Sequence, residues 1–211
     1  MTDPQHPVAE PEYKDRTYRS SGGIAGGVLL LALGGWLGID AMIRGEGRTP
    51  WLALAGLLLA VPLVVAFTVR PAVYANDDRI RIRNPFRTIT LPWASVSGLR
   101  SGYSNEVFTQ SGTKYQLWAI PVSLRGRKKA SRRKSQGVAA GDPGFLDPRR
   151  PGQQASLRAA GDQIMDDLRE LSELRADAKT AQGEPEVRWG YEIIAPAVAG
   201  AVLLAVVLAF L

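Results

Sequence analysis

The chain contains no cysteine and only one histidine. Without cysteine there is no disulfide framework, no thiolate nucleophile and no cysteine-ligated zinc. The single imidazole, His6, sits beside Pro7 in a leader rich in proline and glutamate. No second soft ligand lies near it, so it reads as a solvated tail residue rather than a metal ligand or a base. No glycine-rich phosphate loop follows a strand, because the glycines of SGGIAGG open an apolar run instead. The paired carboxylates also offer little. Asp77 and Asp78 adjoin at a turn, where such residues serve the turn itself, and Asp166 and Asp167 belong to a charged helix face. These absences predict a chain that is not an enzyme and needs neither a metal nor a cofactor.

Charge is missing in a more informative way from three windows. Residues 24–43 carry one charge, Asp40, near their end, and residues 50–69 and 193–211 carry none. Each window has about the twenty residues a helix needs to cross roughly 30 Å of hydrocarbon. A buried helix of a soluble protein rarely stays apolar around its whole circumference for so long. Three membrane spans are therefore expected, with Pro62 kinking the second. Asp40 is close enough to its span end to reach the interface, the alternative being an intramembrane carboxylate. Gly22/Gly26, Gly23/Gly27 and Gly34/Gly38 are small-xxx-small pairs, which suit packing among the spans of one chain or between two copies.

The first window is not a cleaved signal peptide by its flanks. The leader before it carries Asp3, Glu10, Glu12 and Asp15 rather than a short basic segment, and a second span follows at once. The connection between the first two spans holds two of the 26 lysines and arginines, Arg44 and Arg48. Basic residues gather on the cytoplasmic side, so the leader and residues 70–192 are expected there. The predicted location is the cell membrane, multi-pass, with a cytoplasmic soluble domain.

Between the second and third spans the pattern changes twice. AVYA (72–75), RIRIR (79–83), Thr88–Leu91, Ala94–Leu99, Asn105–Gln110 and Thr113–Pro121 read as six short strands. Turn signals at Asn76-Asp77-Asp78, Asn84-Pro85 and Ser111-Gly112 separate several of them. Such spacing predicts a small antiparallel sheet or barrel. Residues 125–152 then lose all periodicity and gather Gly, Pro, Arg and Lys, as expected of a flexible basic insertion. Helical spacing returns over 153–180, where Leu157, Ile164, Leu168, Leu171 and Leu174 fall near one face. Gly161 weakens the first turns, so the firm helix is expected from about Asp162.

The run from Asp78 to Val96 resembles a known family. Asn84, Pro85, Phe86 and Arg87 match a turn, and Leu91, Pro92, Trp93 and Val96 match the strand end that follows, in the bacterial PH-like domain proteins of actinobacteria. The membrane-anchored group that includes mycobacterial low-molecular-weight protein antigen 6 is the nearest in pattern. The resemblance covers roughly residues 24–124 and implies a split, PH-like β-barrel with no enzymatic activity. The basic insertion and the third span depart from the shorter versions of the pattern. Eukaryotic PH domains often grip phosphoinositides with basic residues in their first hairpin. The comparable turn here carries Asp77 and Asp78, so that ligand does not follow.

The expected architecture is thus an α+β membrane protein. A leader (1–22) precedes a transmembrane hairpin (23–70), a PH-like β-domain (71–124), the basic insertion (125–152), an amphipathic helix (153–180) and a third span (193–211). Alternation in RIRIR sends Arg79, Arg81 and Arg83 to one face of a strand and Ile80 and Ile82 to the other. Those arginines, Arg87, and the insertion residues Arg127, Lys128, Lys129, Arg132, Arg133 and Lys134 form the candidate surface for anionic lipid or a partner. Beside a membrane, such a charge run points to headgroups. No aromatics interleave the insertion to stack bases, so nucleic acid is not expected. The function expected is a non-catalytic membrane-anchored module that binds a protein partner, another copy of itself or an anionic lipid surface. No small-molecule substrate is indicated. The alternative is a small accessory subunit of a membrane transport or envelope-assembly complex, with the glycine-rich spans as its working surface.

Overall fold

A computed structural model describes residues 15–122 and 160–210. The chain enters through a short strand, β1 (Arg16–Tyr18), and passes directly into the apolar helix α1 (Ser21–Arg44). Ser20 caps that helix, its hydroxyl accepting from the backbone of Gly23 at 3.1 Å. This satisfies one of the donors that every helix start leaves free. At the far end of α1, Asp40 pairs with Arg44 at 3.0 Å, one helical turn away.

The second apolar helix, α2 (Thr49–Val64), continues through a π-helical turn at Val65–Val69. Pro62 lies inside α2 without ending it. Widening into the π turn comes just after the proline, whose missing N–H breaks the regular ladder. A third apolar helix, α4 (Tyr191–Phe210), closes the chain's described part. All three are long and apolar enough to cross a membrane. They pack where side chains are smallest. A Cβ on Gly38 would strike Leu57, one on Gly27 would strike Thr68, and one on Gly200 would strike the backbone of Leu58 and Leu59. Gly22, Gly26 and Gly34 face open space, so the small-xxx-small pairs are only partly used within the chain.

Six strands were expected, and eight are present among the described residues. The five-stranded antiparallel sheet runs β1-β2-β3-β4-β8, with β2 Ala72–Ala75, β3 Arg79–Arg83, β4 Arg87–Pro92 and β8 Glu186–Trp189. The three-stranded sheet is a meander of β5 (Val96–Ser101), β6 (Asn105–Thr109) and β7 (Lys114–Gln116). A 3-10 turn at Trp93–Ser95 joins the two sheets and replaces the start of the strand expected at Ala94. The last expected strand, Thr113–Pro121, is a strand only over Lys114–Gln116. Gly112 supplies the positive φ of +80° that its hairpin turn requires. Part of the segment read as a leader is structured, since Arg16–Tyr18 forms an edge strand against β2.

The amphipathic helix α3 (Ala160–Arg175) lies against the meander and closes the domain. Its buried apolar side chains are Met165, Leu168 and Leu171, which join Val73, Ile80, Ile82, Ile89, Leu91, Trp93, Val96, Val107 and Leu117 in one core. Leu174, expected on that face, is 71% exposed because the helix ends at Arg175 just beyond the core. Gly161 is no weak point. A Cβ there would come within 2.5 Å of the carbonyl oxygen of Pro121, so the glycine lets the helix start approach the chain after β7. Arg169 donates to the carbonyl of Leu99 at 3.0 Å, and the Ser101 hydroxyl donates to Asp162 at 3.2 Å. At its other end, Arg175 pairs with Asp77 at 2.6 Å and fastens α3 to the β2–β3 turn.

Candidate functional site

Strand register sets one polar face of the five-stranded sheet. Ile80, Ile82, Ile89 and Leu91 point into the core and are fully buried, so the alternate residues point out. Tyr74 stands opposite Arg81, Arg81 opposite Thr90, and Thr90 opposite Glu186. One step along, Arg83 stands opposite Thr88, and Thr88 opposite Arg188. With Asp15, Arg70, Arg79 and Glu192, these residues line an open cleft of about 700 Å³. Volumes of a few hundred to a thousand Å³ are typical of sites that take a whole small molecule rather than a bare ion.

Arg70 forms the base of the cleft, at the end of the π turn that finishes α2. Its side chain is 8% exposed and pairs with Glu192 in the first turn of α4 at 2.5 Å. Its Nε also donates to the carbonyl of Asn84 at 3.2 Å. Gly190 leaves room for this guanidinium, since a Cβ there would lie 2.7 Å from Arg70 Nη2. One arginine therefore ties two apolar helices to the β3–β4 turn. Beside it, Phe67 meets Phe86 edge-on with ring centroids 5.4 Å apart and Trp118 at 5.6 Å. These contacts between aromatic rings fix that turn against the end of α2.

At the other end of the cleft Asn76 organises the β2–β3 turn. Its side-chain oxygen accepts from the backbone of Asp78 and of Arg79, both at 3.0 Å, and its amide donates to Asp15. Its carbonyl also accepts from the indole of Trp93 at 2.8 Å, which links the turn to the core. Asp15 in turn pairs with Arg81 at 3.0 Å, while Arg81 stacks over the Tyr74 ring at 4.7 Å. Tyr74 accepts from Arg19 at 2.8 Å and from Arg83 at 3.5 Å. Burial alone would raise the Tyr74 phenol, but these two guanidinium contacts outweigh it and hold its pKa below the ordinary phenol value. Tyr18, on the inner face one strand away, is shifted the other way. Burial raises its pKa, and the nearby Asp167 carboxylate adds to the effect.

The structure brings Arg79, Arg81 and Arg83 together on this face and sets Arg87 apart. Arg87 shares the phase of Ile89 and Leu91 at the strand's start, and its guanidinium lies 5.8 Å from the Tyr115 ring of the meander. It is not part of the cleft surface. Arg127, Lys128, Lys129, Arg132, Arg133 and Lys134 lie outside the described residues. Sequence reasoning missed Asp15, Tyr74, Arg188 and Glu192 as cleft residues, because they come from segments far apart in the chain. Arg70 carried a signal, standing immediately after an apolar run. Thr88 and Thr90 did too, alternating with Ile89 and Leu91.

Residues 70–144 match the family model of a bacterial PH domain. The match starts at Arg70 and includes the arginine strand and both sheets' central strands, while β1 and β8 fall outside it. A PH-like domain suggests a binding module. No curated protein and no solved structure matches the chain.

Proposed function

We propose that the chain is a non-catalytic, membrane-anchored PH-like module of the actinobacterial type, whose arginine-lined sheet face holds an anionic lipid surface. The observation that carries the reading is the position of the cleft, whose base residues Arg70 and Glu192 stand at the ends of two of the three long apolar helices. If those helices span a bilayer, the cleft opens at headgroup level. Trp189 at the end of β8 and Tyr191 at the start of α4, both largely exposed, suit the same level, where amphipathic aromatic residues gather. Each arginine held near an anionic surface contributes about 1 kcal/mol. The excess of lysine and arginine over residues 70–192 supports a cytoplasmic soluble domain.

The test is reconstitution of the full chain into nanodiscs with and without an anionic lipid. Hydrogen exchange over residues 79–90 is then measured in each. Anionic discs should protect this segment, and the triple change Arg79→Gln, Arg81→Gln, Arg83→Gln should abolish the difference. Equal exchange in neutral and anionic discs for the unaltered chain would rule the reading out.

A further inference from the structure

The cleft has an internal order that a diffuse positive patch would lack. Five arginines, Arg70, Arg79, Arg81, Arg83 and Arg188, line it against three carboxylates, Asp15, Glu186 and Glu192, which leaves two positive charges. The carboxylates are each engaged: Asp15 with Arg81, Glu192 with Arg70, and Glu186 with Arg188 at 2.6 Å. Among the described residues, Arg79 and Arg83 make no close ion pair, although Arg83 lies within electrostatic reach of Glu192, and the side-chain hydrogen bond of Arg83 is the long contact with the Tyr74 hydroxyl.

Two arginine–threonine pairs repeat along the sheet, and β8 sets Arg188 beside Thr88 in one and Glu186 beside Thr90 in the other. Arg81 faces Thr90 and Arg83 faces Thr88 across the same pair of strands, each offering a guanidinium beside a hydroxyl. This is the donor set that a phosphate oxygen prefers. The subsites are two residues apart, or about 7 Å along the strand. The Arg83 subsite lies next to Arg188 and toward Arg70, at the helix end of the cleft. The Arg81 subsite lies toward the β2–β3 turn and already holds an anion, the carboxylate of Asp15.

Resting on the lipid-binding reading above, we infer that the cleft is a discrete site for a headgroup carrying two phosphate groups separated by a short polyol. One phosphate sits at Arg83, Thr88 and Arg188, and the other sits at Arg81 and Thr90 in place of the Asp15 carboxylate. With the Asp15 carboxylate displaced, five arginines face only Glu186 and Glu192, so the two negative charges of the headgroup meet a surplus of three positive charges. The spacing excludes a diphosphate, whose phosphates share an oxygen and cannot reach both subsites. Asp15 acts as a stand-in ligand that the second phosphate must displace.

Native mass spectrometry of the full chain in neutral detergent tests this with four probes. They are a short-chain cardiolipin (two phosphodiesters on one glycerol), a short-chain phosphatidylglycerol, and water-soluble glycerol 1,3-bisphosphate and glycerol 3-phosphate. The two-phosphate lipid should bind about tenfold tighter than the one-phosphate lipid, the gain expected for one more charge-assisted contact. Arg81→Gln should remove that preference, Arg83→Gln should weaken both lipids, and Asp15→Asn should strengthen the two-phosphate lipid several-fold. Tight binding of the soluble bisphosphate would support the site with a soluble ligand as its source. Its absence alongside lipid binding would identify the membrane as the source. Equal affinity for both lipids, still lost in Arg83→Gln, would overturn this inference and leave the lipid-surface reading intact. Lipid binding indifferent to all three substitutions would overturn both.

Discussion

The two sheets differ in what holds them. Both edges of the five-stranded sheet run into an apolar helix, β1 into α1 and β8 into α4, and the interior strand β2 follows α2. The three-stranded sheet touches none of these covalently and is instead a local meander braced by α3 through Leu99 and Ser101. The first sheet carries the charged cleft on its outer face, and the second supplies much of the cover for the core. The difference teaches that the charged face is built on the part of the fold rooted in the helices, while the part remote from them serves to close the core.

The sharpest way to break this division is to remove what the two sheets share. Trp93 is fully buried between them and its indole bonds to Asn76. Trp93→Ala should cost about 3–5 kcal/mol, and hydrogen exchange should rise in both sheets together. If only one sheet loosened, the two would be separate folding units.

Next in size is Arg70→Gln, which acts on the helix-rooted sheet alone. It removes hydrogen bonds from a nearly buried guanidinium to Glu192 and to the Asn84 carbonyl. A loss of about 1.5–3 kcal/mol is expected from such charge-assisted bonds. Exchange should rise near the β3–β4 turn and the start of α4, with the meander unchanged.

Gly161→Ala works in the opposite region. The added methyl meets the Pro121 carbonyl, an overpacking worth about 1–3 kcal/mol, partly offset by roughly 1 kcal/mol of helix propensity. The net loss, read as a lower melting temperature, should come with faster exchange in β5–β7 and α3 only.

The smallest effect separates the two faces of one sheet. Tyr74 has a lowered pKa, so its phenolate favours the fold. That contribution is present above the unfolded pKa of about 10 and is lost as the pH falls through the folded value. Tyr18 has a raised pKa, so its contribution is full below about 10 and is lost as the pH rises through the folded value. Ultraviolet difference titration, with Tyr74→Phe and Tyr18→Phe to assign the steps, should show Tyr74 ionising first. The reverse order would mean that the guanidiniums of Arg19 and Arg83 do not reach the phenol in solution.

The same two regions were unequally legible in the sequence. RIRIR and the alternation around Ile89 and Leu91 declare their buried face residue by residue, so the central strands and the outward arginines could be read directly. The three apolar helices were equally plain, since hydrocarbon length leaves few alternatives. The edge strands were not legible. RTY and EVRW are three and four residues long and mostly exposed, and pairing with β2 and β4 is what makes them strands. Because β1 and β8 bring Asp15, Arg188 and Glu186 to the cleft, three of its eight charges were hidden along with them. Helix α3 shows a subtler failure. Met165 enters the core and Leu174 does not, because where a helix stops decides which of its apolar residues is covered.

The order β1-β2-β3-β4-β8 also sets a schedule for synthesis. Strand β4 keeps an open edge until Glu186–Trp189 emerges, long after Pro92. At ordinary translation speeds that interval is on the order of ten seconds. Throughout it, the arginines of β3 and the threonines of β4 are exposed beside a ladder of unpaired backbone groups. The charge of that outer face thus guards a nascent sheet against pairing with a neighbour before its own last strand arrives.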